Sequence, residues 1–224
     1  AGWIYAVFYF LIYVLSLPGG IIADRTQKYK GTIMSGLILM AAGYGILSVP
    51  VFAETPGFSW VLVLTCIALF IIAFGNGLFK GNLQVLVGQM YDNFEAEAAK
   101  QGPQALAEAK DKRDSGFQIF YVFINVGGLI APFVAPLLRS WWLETNGMVY
   151  NAQLPALCHE FINNAAGMSA QALENLNTMI AAAGGNIADM AASCQNYLQI
   201  FNEGIHYSFI ASVAAMCISL VIFF

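Results

Sequence analysis

Residues 75–84 read GNGLFKGNLQ, and they place Lys80 in a stretch, Gly57 to Met90, that holds no other charged residue. An ionisable side chain is costly inside a membrane, so those that occur usually face a bundle interior or a water-filled cavity. The 34-residue apolar run fits two positions for Lys80, one at mid-membrane and one at the inner end, from which the side chain snorkels. The small and polar neighbours favour the cavity, because such residues are typical of helix contacts or a wet lumen.

The composition indicates a membrane protein. The 224-residue chain is 59% hydrophobic and 10% charged, with a mean hydropathy of +0.67, whereas soluble domains are about 25% charged. A bilayer core about 30 Å thick needs roughly 20 apolar residues per helix. Windows of this kind are Trp3–Ala23, Thr32–Phe52, Phe58–Tyr91, Gly116–Leu138 and Ile205–Phe224. We therefore expect an all-α membrane protein with five transmembrane helices.

The basic residues orient these helices. Seven of the nine Lys and Arg residues lie in two connections, residues 24–31 and 92–114. Cytoplasmic loops are rich in Lys and Arg, which places both connections inside and residues 140–203 outside a cell inner (plasma) membrane. The net charge of −4 gives no reason to expect a nucleic-acid partner. The first window lacks the basic start of a cleavable signal peptide.

The connections divide the chain into three parts. Residues 1–139 carry the first four helices with the cytoplasmic connector 92–114, residues 140–203 form an extracytoplasmic insertion, and residues 204–224 form the last helix. Residues 53–57, AETPG, predict a tight outer turn. The connector favours helix with a break at Gly102–Pro103, either as a solvated link or as an amphipathic surface helix. Apolar helices occupy both ends of the sequence, so we expect a slice of a larger bundle.

The insertion predicts two or three short helices with breaks at residues 167–169 and 184–185. Its cysteines, Cys158 and Cys194, are expected in an oxidising compartment, where they form a disulfide or remain two free thiols. His159 stands beside Cys158 and Glu160 in a cluster too small to indicate a metal site. No P-loop or dinucleotide-binding pattern is present in the sequence, and no cofactor is expected.

Three segments together carry a family resemblance. They are PGGIIADR at residues 18–25, GNGLFKGN at 75–82 and RDSGFQIFYVFINVG at 113–127. In this order, at the ends of successive helices, they resemble the proton-dependent oligopeptide transporter (POT) family of the major facilitator superfamily. The resemblance implies helices two to six of a twelve-helix transporter, that is, part of its N-terminal six-helix bundle. The insertion has no counterpart in this pattern.

The resemblance also implies roles for individual residues. Lys80 matches the cavity lysine that takes part in peptide carboxylate recognition and proton coupling. Tyr121 and Asn125 match residues of the peptide site, and Tyr13 matches a second-helix tyrosine there. Apart from the resemblance, a tyrosine in a membrane helix often serves in packing or in the aromatic belt at the membrane interface. An asparagine there is about as often a helix–helix contact as a ligand contact.

Other positions imply gating rather than substrate binding. Gly19, Gly20, Asp24 and Arg25 match the loop signature between the second and third helices, and Asp114 is expected to cap the start of its helix. Three features depart from the family pattern: Lys28 replaces a mid-loop glycine, Gly81 replaces the proline after the lysine, and the first helix with its glutamate-rich motif is absent here.

The sequence thus predicts a proton-coupled symporter that imports di- and tripeptides by alternating access, with protons as the coupling ion and the rest of the transporter as its partner. One alternative is a major facilitator for another small solute, such as an amino acid or nitrate. Another is a non-transport membrane subunit that binds a partner through residues 140–203. An intramembrane enzyme is not expected, because after Asp24 every acidic residue lies in a connection.

Overall fold

The computed structural model describes residues 2–50 and 60–224, and all regular secondary structure in these ranges is helical. The predicted turn at residues 53–57 lies outside the described residues. The α-helices are, in chain order, α1 (Gly2–Val14), α2 (Ser16–Thr26), α3 (Tyr29–Ser48), α4 (Trp60–Gln101), α5 (Pro103–Thr145), α6 (Leu154–Asn164), α7 (Ala170–Ala182) and α8 (Met190–Phe223). Single 3-10 turns occupy Ala165–Gly167 and Ile187–Asp189.

Five stretches of helix in the described ranges are long and apolar enough to cross a membrane. Each overlaps one of the five predicted windows, so the number and order of the apolar helices are confirmed. The stretches are Gly2–Thr26, Tyr29–Ser48, Trp60–Gln101, Pro103–Thr145 and Ile187–Phe223.

The first of these stretches is interrupted at Leu15, where α1 ends and α2 begins. Pro18 explains the interruption, since it has no N–H to donate to the carbonyl of Val14 and its ring crowds that carbonyl. The Ser16 hydroxyl donates instead to the carbonyl of Tyr13, at 2.6 Å. Tyr13 therefore lies in the last turn of α1, directly before the break.

Helices α4 and α5 extend well beyond their apolar windows, to 42 and 43 residues. The connector between them is helical on both sides, as its Ala, Glu and Lys content favours. The predicted break is confirmed at Gly102, whose φ of 122° is readily adopted only by glycine. Pro103 then begins α5, at a position where a backbone N–H would have no partner within the helix.

The chain divides into two compact units. The first comprises the described residues of Ala1–Leu47, Val51–Ala131 and Ser212–Phe224, and the second comprises Ser48–Pro50 and Pro132–Ala211. The predicted boundaries at 139 and 203 were drawn from polarity, whereas the units reflect packing.

In the first unit α4 is packed closely against two neighbours through glycines. A Cβ on Gly77 would overlap the carbonyl of Leu15, where α1 meets α2, and a Cβ on Gly19 would overlap the carbonyl of Gly77. On another face, Gly75 and Gly36 of α3 each lie against the other's carbonyl. Small residues allow backbones to approach this closely in membrane bundles, so these glycines fix α4 between α2 and α3.

The second unit has a hydrophobic core of its own, built from short amphipathic helices. Ten buried residues form it, and α6, α7 and the start of α8 supply most of them. The predicted breaks are confirmed, since α6 and α7 are separated at residues 165–169 and α7 ends before Gly184, which has a φ of 91°. Ser169 caps α7 by accepting a hydrogen bond from the Ala172 N–H at 3.2 Å.

Arg139 belongs to the second unit and lies against aromatic rings. Its guanidinium carbon is 4.4 Å from the ring centroid of Tyr150 and 5.1 Å from that of Phe201. Such cation–π contacts stabilise a cation that lacks an acidic partner. Arg139 forms no ion pair with any residue that the structure describes.

Candidate functional site

A cavity with a few polar side chains in a mainly apolar wall lies beside α4 in the first unit. Gly75 and Gly77 face the neighbouring helices. A third face of α4 carries Asn76 and Lys80, which are one turn apart. This face opens on a cavity of ≈ 570 Å³, a volume within the usual range of ligand sites. The cavity is lined by Phe8, Tyr9, Ile12 and Tyr13 of α1, Tyr44 of α3, Ile72, Asn76, Phe79, Lys80, Leu83 and Gln84 of α4, and Phe120 and Ile124 of α5.

Lys80 and Tyr13 are in direct contact at this cavity. The Lys80 ammonium lies 4.8 Å from the centroid of the Tyr13 ring, which is within cation–π range. No Asp or Glu is among the lining residues, and within the described ranges Lys80 forms no ion pair. The cavity thus presents an ammonium that no carboxylate of these residues neutralises.

Two amides accompany Lys80 on α4. Asn76 lies one turn before it and Gln84 one turn after it, and both line the cavity. The Asn76 Oδ1 atom is buried and has no hydrogen-bond partner among the residues that the structure describes. Neither amide was among the predicted site residues, although their i−4 and i+4 spacing from Lys80 is the signal that identifies them.

Tyr121 is connected to this face through Gln84. The Gln84 amide donates a hydrogen bond to the Tyr121 hydroxyl at 3.2 Å. Asn125 is exposed and is not among the residues that line the cavity, which Phe120 and Ile124 of α5 line instead. A binding role for Asn125 stays a prediction.

The gating candidates of α2 have distinct surroundings. The carbonyl of Gly19 accepts a hydrogen bond from the buried Asn82 amide at 3.1 Å, which connects α2 to α4. Asp24 accepts a hydrogen bond from the Tyr29 hydroxyl at 2.7 Å, across the turn to α3. Arg25 is exposed, whereas Gly20 is half-buried, although a Cβ on it would meet open space.

The prediction that Asp114 caps the start of a helix is wrong. Helix α5 begins at Pro103, eleven residues earlier. The connector residues after Gly102 are helical and continue without a break into the membrane part of α5. Asp114 is an exposed residue in the interior of α5. Its neighbour Arg113 makes the contacts to α4 instead.

Arg113 bridges α5 and α4 near the connector. Its Nη1 atom lies 3.2 Å from Glu95 and 3.4 Å from Asp92, so one guanidinium joins two carboxylates of the neighbouring helix. Arg113 and Asp92 also line a second cavity of ≈ 470 Å³, to which Tyr121 belongs and which shares Gln84 with the Lys80 cavity. The sequence indicated no particular role for Arg113.

The two cysteines of the insertion lie together in the core of the second unit. Cys158 of α6 and Cys194 of α8 are fully buried and belong to the same hydrophobic cluster. Burial raises the pKa of the Cys158 thiol well above its usual value. The structure records both as free thiols, so a bridge between them stays a prediction.

The packed apolar helices around this cavity define an all-α membrane protein. The POT family profile matches residues 30–224, and the chain belongs to this family. Its fold is accordingly part of a major facilitator bundle.

The chain is similar to several curated transporters. It is 33% identical over 136 residues to the peptide transporter YePEPT of Yersinia enterocolitica, covering 61% of this chain and 22% of the relative. It is 35% identical over 124 residues to a di-/tripeptide transporter of Lactococcus lactis subsp. cremoris, covering 55% of this chain and 20% of the relative. The uncharacterized transporter YclF of Bacillus subtilis is 33% identical over 144 residues, which are 64% of this chain and 23% of the relative.

The matched region therefore spans about a fifth of the length of these relatives. No solved structure matches the chain significantly.

Proposed function

We propose that the full-length protein is a proton-coupled symporter that imports di- and tripeptides across the plasma membrane by alternating access. Membership of the POT family and similarity to named peptide transporters support transport of peptides. The observation that carries the proposal is the Lys80 ammonium, held over the Tyr13 ring in a cavity whose described lining contains no carboxylate.

The chemistry of the cavity fits a zwitterionic peptide. A peptide entering a bundle loses hydration around its carboxylate, and a fixed cation compensates this loss. Lys80 would bind that carboxylate. The amides of Asn76 and Gln84 and the hydroxyl of Tyr13 would hydrogen-bond the peptide groups, and the aromatic lining would contact its side chains.

Coupling to protons requires carboxylates that this cavity wall does not supply. The lining from α1, α3, α4 and α5, as far as the structure describes it, contains no Asp or Glu. We propose that acidic residues in the rest of the transporter bind the protons. Protonation would shift the balance between inward-facing and outward-facing states as two bundles rock around the site.

The glycine contacts provide a rigid element for this motion. Gly19 and Gly77 hold α2 against α4, and Asp24 and Tyr29 hold the turn between α2 and α3. We propose that Gly19, Gly20, Asp24 and Arg25 act at the inner gate, with residues 24–31 and 92–114 in the cytoplasm.

Uptake of a labelled dipeptide into proteoliposomes holding the full-length protein tests the proposal. We expect uptake that an inward proton gradient accelerates and that the Lys80→Ala variant loses. Lys110→Ala is the matched control, because Lys110 is an exposed lysine of the connector outside the cavity.

Absence of gradient-driven uptake in the wild type would refute the peptide assignment. Uptake unchanged in Lys80→Ala would instead refute the role of Lys80. Size-exclusion profiles of the variants separate either result from misfolding.

A further inference from the structure

We propose that Cys158 and Cys194 form a disulfide that joins α6 to the start of α8 and closes the core of the insertion. The inference is independent of the transported solute and rests on the orientation proposed above, with the insertion outside the membrane.

The position of the two residues supports the bridge. Both side chains are 0% exposed and belong to one core cluster, with Leu154 and Tyr197 among its other members. Because both side chains lie inside this one buried cluster and each thiol influences the other electrostatically, they are placed to form an S–S bond of about 2 Å. Cys66 and Cys217, by contrast, are exposed on membrane helices.

The small core of the second unit is a physical reason for a cross-link. Its core contains only ten buried residues, and small units of this kind outside the cytoplasm are commonly cross-linked because a single small core stabilises them weakly. The bridge would connect α6 directly to α8, the helix that continues into the membrane segment. Residues 158–194 would then form one closed loop containing α7.

The chemistry is a two-electron oxidation. One S–H bond on each cysteine breaks and one S–S bond forms, which releases two protons and two electrons. The oxidant is the disulfide of an extracytoplasmic thiol oxidoreductase, which accepts the electrons through a mixed disulfide and leaves as a dithiol.

The folded core affects when this exchange occurs. The thiolate is the attacking species, and burial raises the pKa of Cys158, so its thiolate is scarce in the folded unit. The bridge is therefore expected to form before the core closes. Once formed, its burial protects it from reductants in solution.

Differential alkylation of the full-length protein in membranes is the test. Membranes that hold the protein are denatured without reductant, and their free thiols are blocked with one maleimide. The protein is then reduced and labelled with an isotopically heavy maleimide, and its peptides are analysed by mass. We expect Cys158 and Cys194 to carry the heavy label in at least about nine molecules in ten, and Cys66 and Cys217 to carry the light one. The unreduced digest should contain the peptides of Cys158 and Cys194 linked to each other.

Two variants make the assignment specific. In Cys158→Ala, Cys194 should take the light label, whereas the matched variant Cys217→Ala should leave the 158–194 linkage unchanged. Light label on both Cys158 and Cys194 in the wild type, or linkage of either to another cysteine, would overturn the proposal. The mass readout on wild-type protein does not depend on whether the variants fold.

Discussion

The ammonium of Lys80 and the ring of Tyr13 form a cation–π pair with 4.8 Å between the ammonium nitrogen and the ring centroid. The pair joins the last turn of α1 to the middle of α4 at the wall of the cavity. The Tyr13 ring carries no charge of its own, so this contact leaves Lys80 without a carboxylate partner among the described residues. Tyr13 thus holds the lysine in position without competing for its charge.

Replacement of Tyr13 tests whether the ring or the hydroxyl matters. We expect Tyr13→Leu to raise the half-saturating dipeptide concentration about 2- to 30-fold, because a cation–π contact contributes roughly 0.5–2 kcal/mol. Tyr13→Phe keeps a ring face and is expected to stay within about threefold of the wild type. Uptake titrations in proteoliposomes measure both. An equal loss in both variants would assign the effect to the hydroxyl.

The sequence identified the five apolar helices of the described ranges but not the faces that they present. Hydropathy over windows such as Gly116–Leu138 was sufficient to find each apolar helix. The break at Leu15 was missed, although Pro18 was available to predict it. The helical connector and its break were predicted from composition, but the continuity of the connector with the membrane part of α5 was not, and the error for Asp114 followed from that.

The candidate site was predicted in part. Tyr13 and Lys80 occupy different helices, and a family motif was needed to pair them. The i, i+4 spacing placed Tyr121 and Asn125 on one face of α5, but it does not determine where that face points. Rotation of a helix about its own axis is set by packing, and here Phe120 and Ile124 meet the cavity.

The glycine contacts of α4 predict a position-specific loss of stability. Gly77→Ala places a methyl group on the Leu15 carbonyl, so we expect the unfolding free energy to fall by about 1–3 kcal/mol, as in overpacked cores. Gly81→Ala, on the same helix, meets nothing within 4 Å. It is expected to be neutral or slightly stabilising, since alanine favours helix over glycine. Melting temperatures of the detergent-solubilised protein test this, and equal values for the two variants would contradict the tight packing.

The ion pairs of Arg113 predict that its replacement changes the local dynamics where α4 and α5 approach the connector. Arg113→Gln removes the ion pairs to Asp92 and Glu95, so we expect faster amide exchange in residues 88–101 of α4. The pairs are partly solvated, and the effect on global stability should stay near 1 kcal/mol or below. Lys110→Gln is the control, because Lys110 is an exposed residue of α5 that forms no ion pair with any residue that the structure describes. Hydrogen exchange followed by mass spectrometry compares them, and an equal response in both variants would exclude a tether between the helices.

The buried thiol of Cys158 predicts that the stability of the insertion depends on pH when no disulfide is present. In a Cys194→Ala variant Cys158 has no partner for a bridge, while the burial that raises its pKa remains. Above about pH 8.5, the usual cysteine pKa, the unfolded chain loses the thiol proton and the folded unit keeps it. The unfolded state then binds fewer protons, so the unfolding free energy falls with rising pH, by up to about 1.4 kcal/mol per pH unit. Below that pH the effect is absent.

Urea titrations of the full-length Cys194→Ala protein between pH 7.5 and 9.5, read by brief proteolysis within the insertion, measure this slope. The double variant Cys158→Ala/Cys194→Ala subtracts the contribution of every other titrating group, because it differs only at residue 158. We expect the single variant to lose stability above pH 8.5 more steeply than the double variant. Parallel curves would mean that residue 158 is solvated in the folded unit, and the closed core that brings the two cysteines together would then be wrong.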